Sequence, residues 1–152
     1  TGSFSVYAAA GNAASVTTVD LSNTYLSWAQ RNMQLNGFGD KSRYFFEQAD
    51  VKAWLKQAPF ASFDLVVMDP PTFSNSKRMN DFLDINRDHV ELINHCMQLL
   101  REGGRLYFST NSRQFVMEQE KINATSIRDI TRATTPFDFE GRLFRWCYCI
   151  DK

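Results

Sequence analysis

Phe63-Asp64-Leu65-Val66-Val67-Met68-Asp69-Pro70-Pro71-Thr72-Phe73 is an apolar run that ends abruptly in an acid and two prolines. The part from Phe63 to Met68 has the composition of a buried parallel strand, which sets Asp69 at that strand's carboxyl end. Ligands of open α/β sheets bind beyond the carboxyl ends of the strands, so an acid, a stiff turn and an aromatic ring delivered there form a candidate site. Each proline fixes φ and removes a backbone donor. The loop is therefore expected to be rigid, with free carbonyls and with Phe73 as a flat face for a planar ring. A nucleobase suits such a pocket. The competing reading is that Asp-Pro-Pro only stops a strand, because proline cannot continue a central ladder and aspartate favours turns.

Working outward, the chain alternates. Residues 4–10 predict a short helix closed by Gly11-Asn12, and residues 15–19 a β-branched strand ended by Asp20. Residues 22–37 carry apolar Tyr25, Leu26, Trp28, Ala29, Met33 and Leu35 in a helical pattern with Gly37 as terminator. A strand over 43–48 ending before Asp50, a short helix over 51–57 and the strand over 63–68 follow. Beyond the Asp-Pro-Pro loop, residues 88–100 predict an amphipathic helix stopped by Gly103-Gly104, and residues 106–109 a fourth strand. Residues 116–124 predict a short helix, and residues 127–132 and 144–150 two strands with no helix between them, hence an antiparallel hairpin. The expected fold is α/β: an open, Rossmann-like, mostly parallel sandwich with a C-terminal antiparallel hairpin, its strands closing on Asp20, Asp50 and Asp69, which are expected to line one cleft.

The 152 residues suit one domain with a real core, and 43% hydrophobic and 22% charged residues describe a globular chain. No apolar run approaches a membrane span, so no membrane is expected. Thr1-Gly2-Ser3 shows neither an initiator Met nor a signal-peptide pattern, and is expected to lie inside a longer chain. Seventeen basic and seventeen acidic residues cancel, so a field able to gather nucleic acid must come partly from elsewhere. Cys96, Cys147 and Cys149 do not make a disulfide framework and fit a reducing, cytoplasmic setting. With His89 and His95 they lack the paired close ligands of a zinc site, so no metal is expected. In that setting Asn123-Ala124-Thr125 carries no glycosylation meaning.

Gly2 precedes Asp20 by about 18 residues, near the ~20-residue interval at which nucleotide-binding α/β units place an acid on ribose hydroxyls. The full glycine fingerprint of dinucleotide binders and the lysine of phosphate loops are absent, so a cofactor without pyrophosphate is expected. Adenosine needs an acid for the ribose and a polar group for the adenine amine, and Asp20 and Asp50 fit those two needs.

Thr1-Gly2-Ser3-Phe4, Val19-Asp20-Leu21-Ser22, Gln48-Ala49-Asp50 and Asp69-Pro70-Pro71-Thr72-Phe73-Ser74-Asn75-Ser76-Lys77-Arg78 occur in the order typical of class I S-adenosylmethionine-dependent methyltransferases, which this chain resembles over essentially its whole length. More narrowly it resembles the K-type half of the bacterial 23S rRNA guanine methyltransferase K/L family, also through Arg31-Asn32-Met33-Gln34-Leu35-Asn36-Gly37. The resemblance implies S-adenosyl-L-methionine as cofactor, with Thr1, Gly2 and Ser3 near its methionine end, Asp20 and Leu21 at the ribose, and Asp50 and Val51 at the adenine. It implies that Asp69, Pro70, Pro71 and Phe73 line the target base, Asp69 bordering the cofactor as well. Partners implied are 23S rRNA and upstream RNA-binding and second methyltransferase domains of the same parent chain. It also implies that residues 1–152 form a partial methyltransferase domain, beginning inside the first motif, with the first strand of the fold missing.

Guanine N7 carries a lone pair and no proton, so its methylation needs placement and electrostatics rather than a general base. Asp69 would accept from the guanine N1 or N2 edge, Phe73 or Pro71 would stack on the base, and Lys77, Arg78 and Arg87 would meet phosphates. Methylation of an exocyclic amine of guanine or adenine is the alternative, although such sites commonly carry an aromatic residue where this chain has Thr72. Cytosine C5 chemistry needs a nucleophilic cysteine, and the fourth strand ends in Ser109-Thr110-Asn111 instead. A non-catalytic RNA-binding module of the same fold is the alternative of another class, disfavoured by an intact set of acids and prolines. A nicotinamide-dependent enzyme is disfavoured by the missing glycine fingerprint.

Overall fold

The computed structural model describes residues 1–74 and 83–152. It divides into two compact units, Thr1–Trp54 and Leu55–Lys152.

In the first unit α1 (Ser3–Ala10), β1 (Val16–Asp20), α2 (Asn23–Leu35) and β2 (Tyr44–Gln48) alternate, and α3 starts at Val51 and runs to Gln57. β1 and β2 are parallel, with Val16 opposite Tyr44 and Asp20 opposite Gln48. Ser22 caps α2, its hydroxyl accepting from the Tyr25 amide at 3.4 Å. Leu26, Ala29 and Met33 form the buried face of α2. Burying a side chain the size of Leu26 or Met33 contributes about 1.5–3 kcal/mol, against about 1 kcal/mol for a good cap, so the apolar stripe, not the cap, sets the helix in place. Ala9, Met33 and Tyr44 make the core, with Val6, Val16, Phe38 and Phe46 packed against it. After Asn36 the chain turns at Gly37, φ +82°, and the Phe38 amide returns to the Met33 carbonyl at 2.9 Å, which brings Phe38 onto that core.

In the second unit β3 (Phe63–Met68), α4 (Ile85–Leu99), β6 (Leu100–Thr110), β7 (Ser126–Asp129) and β8 (Trp146–Asp151) build a four-stranded sheet of order β3-β6-β8-β7 and one long helix. β3 and β6 are parallel, while β6 with β8 and β8 with β7 are antiparallel. The expected C-terminal hairpin is present, as is the strand over 63–68. β4 (Phe73–Ser74) and β5 (Leu83–Asp84) add a two-residue antiparallel ladder with Phe73 opposite Asp84, which the sequence reading did not anticipate. Ile93, Cys96, Leu106, Phe108 and Ile150 are fully buried, and Phe108, Phe115 and Tyr148 form a ring cluster. Burial pushes the Cys96 thiol up to about 12, so it behaves as an apolar side chain.

Several boundaries differ from expectation, each for a local reason. α4 begins at Ile85 rather than residue 88, because the Asp84 carboxylate caps it by accepting from the Asn86 amide at 3.0 Å, and Asp88 accepts from the Asp84 amide at 3.0 Å. β6 begins at Leu100 instead of residue 106. Leu100 is already extended and pairs with Phe63, and a register shift between Phe63 and Leu65 accommodates Gly103-Gly104 within the strand. The helix expected over 116–124 is a single 3₁₀ turn, Gln119–Lys121. β7 stops at Asp129 rather than 132, where its carboxylate accepts from the Thr131 amide at 2.8 Å and turns the chain. β3 was expected to be buried on both faces, yet Leu65 and Val67 are 48% and 41% exposed; alternation puts them on one face, and among the described residues β3 pairs with β6 alone.

Candidate functional site

In the first unit, two carboxylates stand at the carboxyl ends of the parallel pair. Asp20 is the last residue of β1 and its Oδ1 accepts from the Ser22 amide at 2.7 Å. Asp50 lies two residues beyond Gln48, the residue opposite Asp20, and its Oδ1 accepts from the Lys52 amide at 2.9 Å. The Ala49 amide donates to the Asp20 carbonyl at 3.2 Å, and the Gln48 side-chain amide to the Leu21 carbonyl at 3.2 Å, tying the two strand ends together. Each aspartate is half-buried and has one oxygen held by local backbone, its other oxygen meeting no donor among the described residues. That donor-poor pair of acceptors matches a ligand that brings hydroxyls and an amine, as adenosine does, better than one that brings phosphates. Leu21 and Val51, next to these acids, are half-buried.

Gly2, Thr1 and Ser3 open the same unit. Gly2 has φ +79°, and a Cβ there would lie 2.7 Å from the Ala29 Cα. Glycine is therefore required for α1 to start against α2, whatever else approaches it. Thr1 is tied to α2 through its carbonyl, which accepts from Asn32 Nδ2 at 2.8 Å. Ser3 is exposed as the first residue of α1.

In the second unit, Met68 is paired with Phe108, so Asp69 and Ser109 leave neighbouring parallel strands side by side. Ser109 Oγ donates to Asp69 Oδ1 at 2.5 Å. Three residues on, Thr72 Oγ1 donates to Asn111 Oδ1 at 2.5 Å, and the Thr72 carbonyl accepts from the Ile85 amide at 3.1 Å. The Asp-Pro-Pro-Thr loop is thus pinned at both ends to the tip of β6. That tip is itself fixed: Thr110 and Ser112 are buried, Ser112 Oγ donates to Asn86 Oδ1 at 3.0 Å and Trp146 Nε1 to the Ser112 carbonyl at 3.1 Å. Pro70 is half-buried, Pro71 exposed, and Phe73 presents a ring that is 55% exposed.

Sequence reasoning named Asp20, Asp50 and Asp69, and all three stand at carboxyl strand ends within their own units. It gave no role to Ser109 or Asn111. The available signal was a polar triplet ending the strand after the Asp-Pro-Pro strand, which predicts adjacency in a parallel pair. Arg87, expected to meet phosphates, donates to the buried Asp88 from Nε at 2.6 Å and from Nη2 at 2.9 Å, its side chain remaining 44% exposed. Lys77 and Arg78 lie outside the described residues.

Residues 1–142 match the family described as S-adenosylmethionine-dependent methyltransferase. Ribosomal RNA large subunit methyltransferase K of Neisseria meningitidis serogroup B is 50% identical over 97% of this chain and 42% of its own length. Ribosomal RNA large subunit methyltransferase K/L of Pseudomonas savastanoi pv. phaseolicola is 51% identical over 95% of this chain and 19% of its own length. The chain therefore spans well under half of these curated relatives. Among solved structures, SMU.776, described as a candidate methyltransferase complexed with SAH, superposes with a TM-score of 0.75 at 22% identity, over 98% of this chain and 42% of that one. At that identity the likeness shows the fold.

Proposed function

Because this chain belongs to the S-adenosylmethionine-dependent methyltransferase family, we propose that it methylates a guanine of 23S rRNA at N7. S-adenosylmethionine is the cofactor, and it supplies an electrophilic methyl group on a sulfonium. Asp20 accepts from the ribose hydroxyls and Asp50 from the adenine amine, with Leu21 and Val51 as apolar neighbours and Thr1, Gly2 and Ser3 toward the methionine end. Asp69 holds the target base through its N1 or N2 edge, Phe73 or Pro71 stacks on its face, and Lys77, Arg78 and Arg87 meet phosphates. The base must leave its stack to enter.

The observation that carries this reading is the loop from Asp69 to Phe73, pinned by Ser109 and Asn111. A rigid acceptor beside an exposed ring is what placement of a base requires, and placement can supply several kcal/mol of the barrier. N7 loses no proton on methylation. The pocket therefore needs no base, and the product carries a positive charge that the Asp69 carboxylate stabilises. Thr72, in place of an aromatic residue, favours this over exocyclic-amine methylation. With a formal net charge of zero, the proposal includes RNA-binding surface supplied outside these residues, as the greater length of the relatives suggests, and action in the cytoplasm where rRNA is made. The test is nucleoside mass spectrometry of 23S rRNA from cells with and without the gene. Loss of one 7-methylguanosine is expected; an unchanged 7-methylguanosine content would overturn the proposal.

A further inference from the structure

Two side chains that the methyl-transfer scheme uses only as pins for the loop stand at the end of the neighbouring strand, Ser109 against Asp69 and Asn111 against Thr72. Ser109 and Asn111 flank the buried Thr110 and turn away from it. Each contact in this cluster fixes one atom and leaves its twin. Asp69 Oδ1 is held by the Ser109 hydroxyl at 2.5 Å, and no donor among the described residues meets Oδ2. Asn111 Oδ1 is held by the Thr72 hydroxyl at 2.5 Å, and no acceptor among the described residues meets Nδ2. With the Thr72 hydroxyl donating to Asn111 Oδ1, the carboxamide turns its Nδ2 away from Thr72. The adjacent strand ends then offer, both exposed to solvent, an acceptor on Asp69 and a donor on Asn111.

We infer that Asn111 is a base-specificity determinant: its Nδ2 donates to guanine O6 while Asp69 Oδ2 accepts from guanine N1–H, with Thr72 and Ser109 as the positioning residues that hold these two side chains. The inference rests on the methyltransferase reading above and deepens it. Guanine presents O6 as an acceptor next to N1–H as a donor. Adenine presents the reverse, an amine donor beside an N1 acceptor, so it would set donor against donor and acceptor against acceptor. Such a mismatch is worse than a missing contact, because two desolvated polar atoms on the protein are left unpaired as well. A flipped Asn111 carboxamide would set an acceptor where guanine presents O6 and so suit the adenine amine, whereas the Asp69 carboxylate accepts in either orientation and always opposes adenine N1. The Thr72 hydroxyl holds the carboxamide with Nδ2 outward, and the Ser109 hydroxyl holds the carboxylate in place.

The experiment uses the intact protein and an RNA hairpin copied from the 23S rRNA site mapped by mass spectrometry, with guanosine, inosine or 2,6-diaminopurine riboside at the target position. All three keep N7. Inosine keeps O6 and N1–H, whereas diaminopurine reverses both. Methyl transfer is measured as kcat/KM for each RNA, and cofactor affinity by calorimetry serves as the control for folding. Wild type is expected to favour guanosine and inosine over diaminopurine by at least about tenfold, the scale of one well-placed base contact. Asn111→Asp, which exchanges the donor for an acceptor, is expected to shrink that ratio at least about tenfold with cofactor affinity unchanged. Ser109→Ala is expected to lower kcat, and Ser109→Thr, which restores the hydroxyl, to recover it. Guanosine methylation by wild type with an unaltered base ratio in Asn111→Asp would overturn this inference alone. Failure of wild type to methylate guanosine RNA would instead overturn the function proposed above.

Discussion

Gly2 meets two demands at once, a left-handed φ of +79° and an α2 backbone so close that an added Cβ would sit 2.7 Å from the Ala29 Cα. Gly2→Ala is expected to destabilise the first unit by roughly 1–3 kcal/mol, combining the left-handed penalty with overpacking. The check is urea unfolding followed by a first-unit reporter such as Trp28; an unchanged midpoint would show that α1 can shift away. At Asp20, whose Oδ1 is occupied by the Ser22 amide at 2.7 Å, the interest lies in the other oxygen. Asp20→Ala in the intact protein is expected to weaken S-adenosylmethionine binding by roughly 1–3 kcal/mol, the usual penalty for stranding polar partners, and calorimetry showing equal affinity would remove Asp20 from the ribose. Asp20 was legible in the sequence because a strand-ending acid some distance after a glycine is a one-dimensional pattern. Ser109 and Asn111 were not, since their partners Asp69 and Thr72 lie about 40 residues away, and only the parallel pairing of β3 with β6 brings them together.

At the level of elements, α4 shows how a boundary is set by side chains outside the apolar pattern. The Asp84 carboxylate accepts from the Asn86 amide, while the buried Asp88 accepts from the Asp84 amide and pairs with Arg87. Asp84→Ala is expected to reduce stability by about 0.5–2 kcal/mol, as for other capping residues. Asp88→Ala is expected to reduce it further, because it removes a buried carboxylate that accepts from both the Asp84 amide and the Arg87 guanidinium. Chemical denaturation of the two variants checks the order, and an Asp84 variant less stable than the Asp88 variant would refute it. The apolar spacing of 88–100 was enough to foresee a helix, but it was silent on the extra turn from Ile85. Strand existence was equally legible through β-branched and apolar runs. β6 was underestimated because Gly103-Gly104 looks like a helix stop, and only pairing with β3 shows it absorbed by a register shift. β8 was placed within two residues because Cys147, Tyr148, Cys149 and Ile150 are all buried, a continuous run that reads the same in one dimension as in three.

At the scale of the molecule, the sheet of the second unit is fastened on one side by a single carboxylate. Asp151, the last residue of β8, accepts from Arg105 of β6 at 2.7 Å and from Ser126 and Arg128 of β7 at 2.7 and 2.9 Å. The Arg105 hydrogen bond, reinforced by Ser126 and by the charges of Arg105 and Arg128, holds the carboxyl down at about 2. An aspartate in an unfolded chain titrates near ~3.9, so the folded form is the stronger acid. The stability this carboxylate contributes is therefore complete above about pH 4 and is lost as pH falls toward 2. Because the group and its arginines are exposed to solvent, the contribution is screened by salt. Thermal melting between pH 6 and pH 2 is expected to show a shallower acid decline for Asp151→Asn than for wild type, with the difference concentrated below pH 4 and diminished in about 1 M salt, where the screening length falls to about 3 Å. Parallel curves for the two proteins would mean that the three strands are held by their backbone ladders and apolar face alone, and that Asp151 merely occupies the end of β8.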